Sequence, residues 1–582
     1  MRTTRSGRRS PWPRGMRLAR IYWVACVLGS SYVLGASTGC VGAIDDGAAR
    51  PSGVGPRDDL DPTCADDRML LGSTPMRRLS NAEYLASVAA LFPGVTPALP
   101  ELPPDTTSQG FENDARSLGA SDVRVARWED VAFRYTQAAT ASDEALAGFL
   151  SFCERWDDDA SQRACGRALV DTLGRRTHRR PLTDAQRARY EAFFEAQRGE
   201  IDFAAAVQLT TMAMLQSPWF LYRLEIEGGM PRGDVVALDA WDVATRLSFL
   251  LWEEGPNDAL LDAAARGELT DAASLEAHAR RMLADPRARA AVLDFHRQWL
   301  DLDRIEIPEH ALRIDDPEWT ETTQRSAREE TDRFIAHALF DGEGTLGALL
   351  TSRETYVDRE LARIYGVSGP TAAGEWARAT LPEGERAGLL TRAAFLAAES
   401  HAGNPSPPLR GLYVMERLLC ETRPTPPPDV DLSPPTAEPG EGPRTNRQLF
   451  DERTASPTCQ GCHVRMHGFG YALEGYDEAG AFRDLDDGLP VDASGSITGT
   501  DVDGPIDGAI ELSERLASSE RVHECATRRW VRYAQGRAEE RTDACLTERL
   551  SERFVTSGGD VRELLVAMVT SPEFRHRGAV SE

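Results

Sequence analysis

The chain is expected to be mainly α: several helical domains, followed by a last segment that carries a small β-hairpin. Three observations carry this. Apolar residues recur three and four apart over most of the chain. Helix-start signatures of the capping-box type stand before two of those runs. Only residues 482–505, rich in Asp and Gly with scattered Val and Ile, have the character of a hairpin.

From the N-terminus, Ser80-Asn81-Ala82-Glu83 is a capping box, and Tyr84, Val88 and Leu91 follow at helical spacing until Pro93 and the Pro-rich 97–104 stretch. A second helical block covers 153–227, with the capping box Thr183-Asp184-Ala185-Gln186 and an apolar helix over 203–215 that stops at Ser217-Pro218. A third begins near Ala237 and holds helices over 244–252, 290–302 and 326–340, with further helices expected at 358–365 and 386–399. Eight prolines between Thr422 and Pro443 form an extended connector. Helices over 511–517, 522–534 and 561–571 close the chain. The organisation expected is a leader 1–39, a tether 40–70 and helical domains at 71–145, 150–230 and 235–370. A connector with a motif-bearing domain follows at 380–500, and a C-terminal helical domain at 505–578.

Seven Arg and no acidic residue precede Cys40, and the apolar stretch 21–35 ends in Ala36-Ser37-Thr38-Gly39. That order is a secretory leader. Ser37-Thr38-Gly39-Cys40 resembles a lipoprotein cleavage box, which makes Cys40 a candidate for lipidation; ordinary signal cleavage nearby is the alternative. No later stretch has the roughly 20 apolar residues of a membrane span, so contact with a membrane is expected only through a lipid anchor. The location expected is periplasm, outer membrane or cell surface.

The net charge is −26, and removal of the leader leaves 59 basic against 92 acidic residues, or −33. Such a surface repels phosphate backbones, so nucleic acid is a poor partner. All 66 basic residues are Arg. That excludes Schiff-base lysines, lysine general bases and Walker-type phosphate lysines. Hydrolase signatures of the His-Glu-x-x-His and Gly-x-Ser-x-Gly kinds are missing as well. Gly342-Glu343-Gly344-Thr345-Leu346-Gly347 fits G-x-G-x-x-G but follows a helix, and reads as a loop. The Asp residues between 484 and 507 read as solvated turn positions rather than a Ca²⁺ site.

Cys459-Gln460-Gly461-Cys462-His463 carries the chemistry. Two thiols at this spacing meet the two vinyl groups of a porphyrin, and the adjacent imidazole binds its iron, so the cofactor indicated is haem c, held by Cys459 and Cys462 with His463 as axial ligand. His401, His523 and Met568 are candidates for the opposite axial position; Met466 and His467 are too near His463 in sequence to reach that face. The other cysteines, Cys64, Cys153, Cys165, Cys420, Cys525 and Cys545, suit disulfides in an oxidising compartment. Cys153/Cys165 and Cys525/Cys545 are the natural local pairs, leaving Cys64 and Cys420.

The segment from Cys459 to Asp477 resembles the haem segment of a family of exported bacterial cytochrome-c-like multidomain proteins built from domains of unknown function. Arg77–Tyr84, Arg179–Thr183, Arg246–Trp252, Arg386–Leu390, Ser406–Gly411 and Val561–Phe574 resemble other parts of it. His467 and Gly468 depart from the Asp-Pro common there. The resemblance implies a covalent haem and an envelope location, but no catalytic role. Three functions remain open. The first is an electron carrier serving a redox partner protein in the envelope, and the second a haem-dependent oxidoreductase on an exported substrate. The third is a surface binding or scaffold protein, for instance for polysaccharide, with structural or no haem.

Overall fold

In the computed structural model, most of the long helices begin where side-chain caps satisfy the free N–H groups of their first turns. Ser80 and Glu83 exchange hydrogen bonds to open Asn81–Leu91, and Thr183 and Gln186 do the same for Asp184–Glu200. Asp202 caps Phe203–Leu215, and Ser217 with Pro218 starts a new turn directly after it. The described residues are 64, 69, 71–226, 235–306, 319–401, 403–428, 430–437, 440 and 442–578. The leader 1–39, Cys40 and nearly all of the tether 40–70 lie outside them.

The protein is mainly α, and the strands of the described residues form two-stranded antiparallel pairs. Several elements differ from the sequence expectation. Asp122–Ala139, capped by Ser121, is an 18-residue helix that buries Trp128, Val131, Ala132 and Tyr135. Ala544–Thr556 is a further helix near the C-terminus. Residues 386–399 do not form one helix. Arg386 lies outside a short 3-10 turn, Leu389–Thr391, and a new helix starts at Ala393. The cause is tertiary: Arg386 and Arg392 are fully buried and committed to distant partners. Between 482 and 505 there are two hairpins rather than one, Leu485–Asp486 with Leu489–Pro490 and Ser494–Ile497 with Gly504–Asp507. The aspartates there fold the turns; Asp503, for example, accepts from the Gly499 and Thr500 amides.

All six expected disulfide cysteines are paired, but the connectivity departs from the local pairing. Cys153–Cys165 forms; Cys525 pairs with Cys420 and Cys545 with Cys64. Helix packing decides this. Cys525 lies on Glu520–Gln535, whose Arg529 donates to the Glu416 carbonyl, and so it meets Cys420 rather than Cys545.

Residues Asp59–Glu582 form one compact unit. One apolar core runs through most of it, drawing in Phe111, Phe295, Leu473, Trp530 and Leu565. Its centre stacks Phe295 on Trp530, so the Pro286–Trp299 helix is fixed against the C-terminal helices. The segment around 146–214 has a core of its own.

Arginine does much of the internal wiring. Arg246 binds Glu225 with two bonds of 2.7 and 2.6 Å and donates to the Phe574 and His576 carbonyls at 3.0 Å, tying the third helical block to the C-terminus. Arg179 donates to the carbonyls of Trp219, Phe220 and Tyr222. A guanidinium carries five donors in a wide planar fork, which suits it to several carbonyls at once.

Candidate functional site: the Cys459–His463 helix

The Cys-x-x-Cys-His segment, the candidate attachment motif, opens a helix, Pro457–Gly470. Ser456 caps it through the Cys459 amide, and Pro457 supplies a first-turn residue that needs no N–H partner. Cys459 and Cys462, three residues apart, share one face of this helix. Both are free thiols, Cys462 exposed and Cys459 partly so, while every other described cysteine is in a disulfide. His463 follows, half-buried, with its ring held through Nδ1.

The buried side of the helix is seated tightly. Gly411, on the Pro407–Tyr413 helix, faces the Met466 carbonyl so closely that a Cβ at Gly411 would lie 1.9 Å from that oxygen. Gly470 makes the reciprocal approach to the Pro407 carbonyl, also at 1.9 Å. Arg410, with no exposed surface, donates to the carbonyls of Leu473, Tyr476 and Asp477 at 2.8, 3.0 and 2.8 Å, fixing the chain as it leaves the helix. Burial pushes its guanidinium down to about 10, so it stays charged at neutral pH. Ser406–Gly411, met as a sequence resemblance, is therefore the seat of the attachment helix. On its flank Arg465 binds Glu421 with two bonds of 2.7 Å.

A chain of hydrogen bonds runs along the helix from His463. Its Nδ1 lies 3.0 Å from His467 Nε2, and His467 Nδ1 lies 2.8 Å from the Tyr471 hydroxyl. That hydroxyl donates to Asp451 Oδ1 at 2.6 Å, from the preceding Asn446–Arg453 helix. The Arg447 guanidinium covers the Tyr471 ring at 4.4 Å. Burial lowers the His463 pKa. His467 is pushed down to about 3 by burial first, then by His463 and Arg447, and so is neutral. Burial and the Asp451 carboxylate raise Tyr471 above the ordinary phenol range.

The donor set fits a covalent haem: two thiols outside any disulfide, one turn apart on an accessible face, and beside them an imidazole that engages His467 through Nδ1 and so could offer Nε2 to iron. Cys459 and Cys462 would form the thioethers and His463 would supply Nε2. Among the described residues no group of three or more His, Cys, Asp or Glu is placed to hold a bare metal ion.

The structure brings Cys459, Cys462 and His463 onto one helix; the three candidates for the opposite face are on other elements. His523 packs its ring on Phe554 and bonds the Ser519 carbonyl through Nδ1 at 2.8 Å. Met568, only 3% exposed, is a core residue at the wall of a cavity of about 710 Å³ that Arg77 and Arg246 also line. His401 belongs to the Ser400–His401/Asn404–Pro405 hairpin, whose Pro405 carbonyl accepts from Asn446 at 3.2 Å. Sequence reasoning set His467 aside and did not see Tyr471 or Asp451 as site residues. The i, i+4, i+8 spacing of 463, 467 and 471 was the available signal.

Five family models match the chain, each described as a protein of unknown function. In chain order they are DUF1587 at 77–141, DUF1595 at 165–225, DUF1592 at 238–367, DUF1588 at 386–486 and DUF1585 at 503–574. The chain is thus a multidomain protein assembled from this set of domains of unknown function. The DUF1588 match holds both the attachment helix and its Ser406–Gly411 seat. No curated protein and no solved structure matches the chain.

Proposed function

We propose that the chain is an exported c-type cytochrome-like protein that carries one haem on Cys459 and Cys462, with His463 as an axial ligand, and transfers electrons in the cell envelope. The carrying observation is selective pairing: six described cysteines form three disulfides while the two motif thiols stay free and accessible. When bound, the haem iron supplies one-electron Fe(III)/Fe(II) chemistry. The chain holds His463 through its Nδ1 contact with His467 and leaves the thiol face open for the porphyrin.

Disulfides persist in oxidising compartments. No helix of the described residues is long and apolar enough to cross a membrane. The disulfides agree with export behind the leader, with Cys40 as the candidate lipid anchor. Electron transfer is tested by redox titration of the chain matured with a haem-attachment system. One reversible one-electron wave is expected; a loaded chain that cannot be reduced and reoxidised would refute the role.

A further inference from the structure

Resting on that haem assignment, we propose that His467 is a positioning residue for His463. The relay Asp451–Tyr471–His467 holds the His463 ring in the tautomer that leaves Nε2 free to ligate, and keeps the reduction potential low.

The polarity of the relay follows from proton counting. Tyr471 has a single hydroxyl proton and gives it to Asp451 Oδ1 at 2.6 Å. Its oxygen can then only accept from His467 Nδ1, 2.8 Å away, so that nitrogen carries the hydrogen. A neutral imidazole protonated at Nδ1 presents a lone pair at Nε2, and this faces His463 Nδ1 at 3.0 Å. His463 must therefore carry its hydrogen on Nδ1 and keep its lone pair on Nε2. The carboxylate at one end sets the tautomer of the ligand at the other.

The relay is held from outside. His467 is 5% exposed, and Phe450 meets its ring edge-on with the ring centroids 6.2 Å apart. Arg447 stacks on Tyr471, and Asp451 comes from a separate helix that Thr445 caps. Partners that orient an axial histidine and accept its second N–H also raise its basicity. A more basic axial nitrogen favours ferric over ferrous iron, which lowers the potential.

The test uses the full chain, matured with haem. His467→Ala should shift the ferric/ferrous preference about tenfold toward ferrous, which is about 59 mV upward for a one-electron couple. His467→Gln, whose amide oxygen can accept from His463 Nδ1, should recover most of the native value. Tyr471→Phe keeps the ring packing and should move the potential in the same direction by less, which also covers a His467→Ala chain that does not fold. In the unmatured, ¹⁵N-histidine-labelled full chain, His463 should be protonated on Nδ1, and His467→Ala should weaken that preference. An unchanged potential in both variants, or an Nε2–H tautomer at His463 in the unmatured native chain, would overturn the proposal. Absence of haem from the matured native chain would refute the haem assignment, while the tautomer measurement still decides the relay.

Discussion

Replacing Gly411 by Ala tests how the attachment helix is seated. The new methyl carbon would lie 1.9 Å from the Met466 carbonyl oxygen, which is backbone and cannot swing away. An ordinary carbon–oxygen contact is about 3.3 Å, so the two helices must part by roughly 1.4 Å. A gap of that size forfeits most of the dispersion contact along the crossing, and overpacking of this kind costs about 3 kcal/mol. Gly461, on the accessible face of the same helix, has nothing within 4 Å of its would-be Cβ. There Ala should stabilise by about 0.5–1 kcal/mol, because mid-helix glycine is disfavoured. The assay is denaturant unfolding of the unmatured chain, native and both variants, followed by tryptophan fluorescence and by protease access to 457–470. Opposite signs are expected. If Gly411→Ala lies within about 0.5 kcal/mol of native, the close crossing is wrong.

Three further outcomes follow from the same structure. Removing the Cys64–Cys545 bridge, which spans 481 residues, should cost about 6 kcal/mol by loop-closure entropy, against about 3 for Cys153–Cys165, which spans 12; unfolding of the Ser variants orders them. Glu330 and Arg392 form a fully buried pair at 3.0 Å, so Glu330→Gln should cost about 3–5 kcal/mol, while Glu330→Gln with Arg392→Met should cost less than the sum of the two single changes in a double-mutant cycle. His296 is fully buried with Nδ1 on the Val292 carbonyl at 2.7 Å, and burial lowers its pKa from 6.5 to about 4. The folded state prefers the neutral ring, so its contribution is complete above pH 6.5 and is lost as pH falls from 6.5 toward 4, by about 3 kcal/mol in all. His296→Leu should flatten that part of the stability–pH curve.

Much of the helical body was legible because local rules and packing agree there. The Ser80 and Thr183 capping boxes form as written, and the apolar run 203–215 is a helix with those bounds. Where packing dominates, local pattern misled. The 386–399 stretch has helical periodicity, yet Arg386 is drawn off to the Thr391 and Gly480 carbonyls and Arg392 to Glu330. The Asp122–Ala139 helix passed unnoticed because its exposed Val123 and Val125 blur the apolar stripe of Trp128, Val131 and Tyr135. Disulfide partners are a matter of distance in the fold, and nothing in the spacing of Cys525 and Cys545 could reveal that each faces a more distant cysteine. At the candidate site the five-residue motif announced itself, whereas the relay needs Asp451, which reaches Tyr471 only through the angle between two helices.

The central claim is that Cys459 and Cys462 each form a thioether to one porphyrin. Its most direct test is the intact mass and pyridine haemochrome spectrum of the full chain, and of its Cys459→Ala/Cys462→Ala variant, both produced beside a competent haem-attachment system. One covalently retained haem with a c-type haemochrome is expected in the native chain and none in the variant. A native product with the mass of the bare polypeptide and no visible absorbance would contradict it.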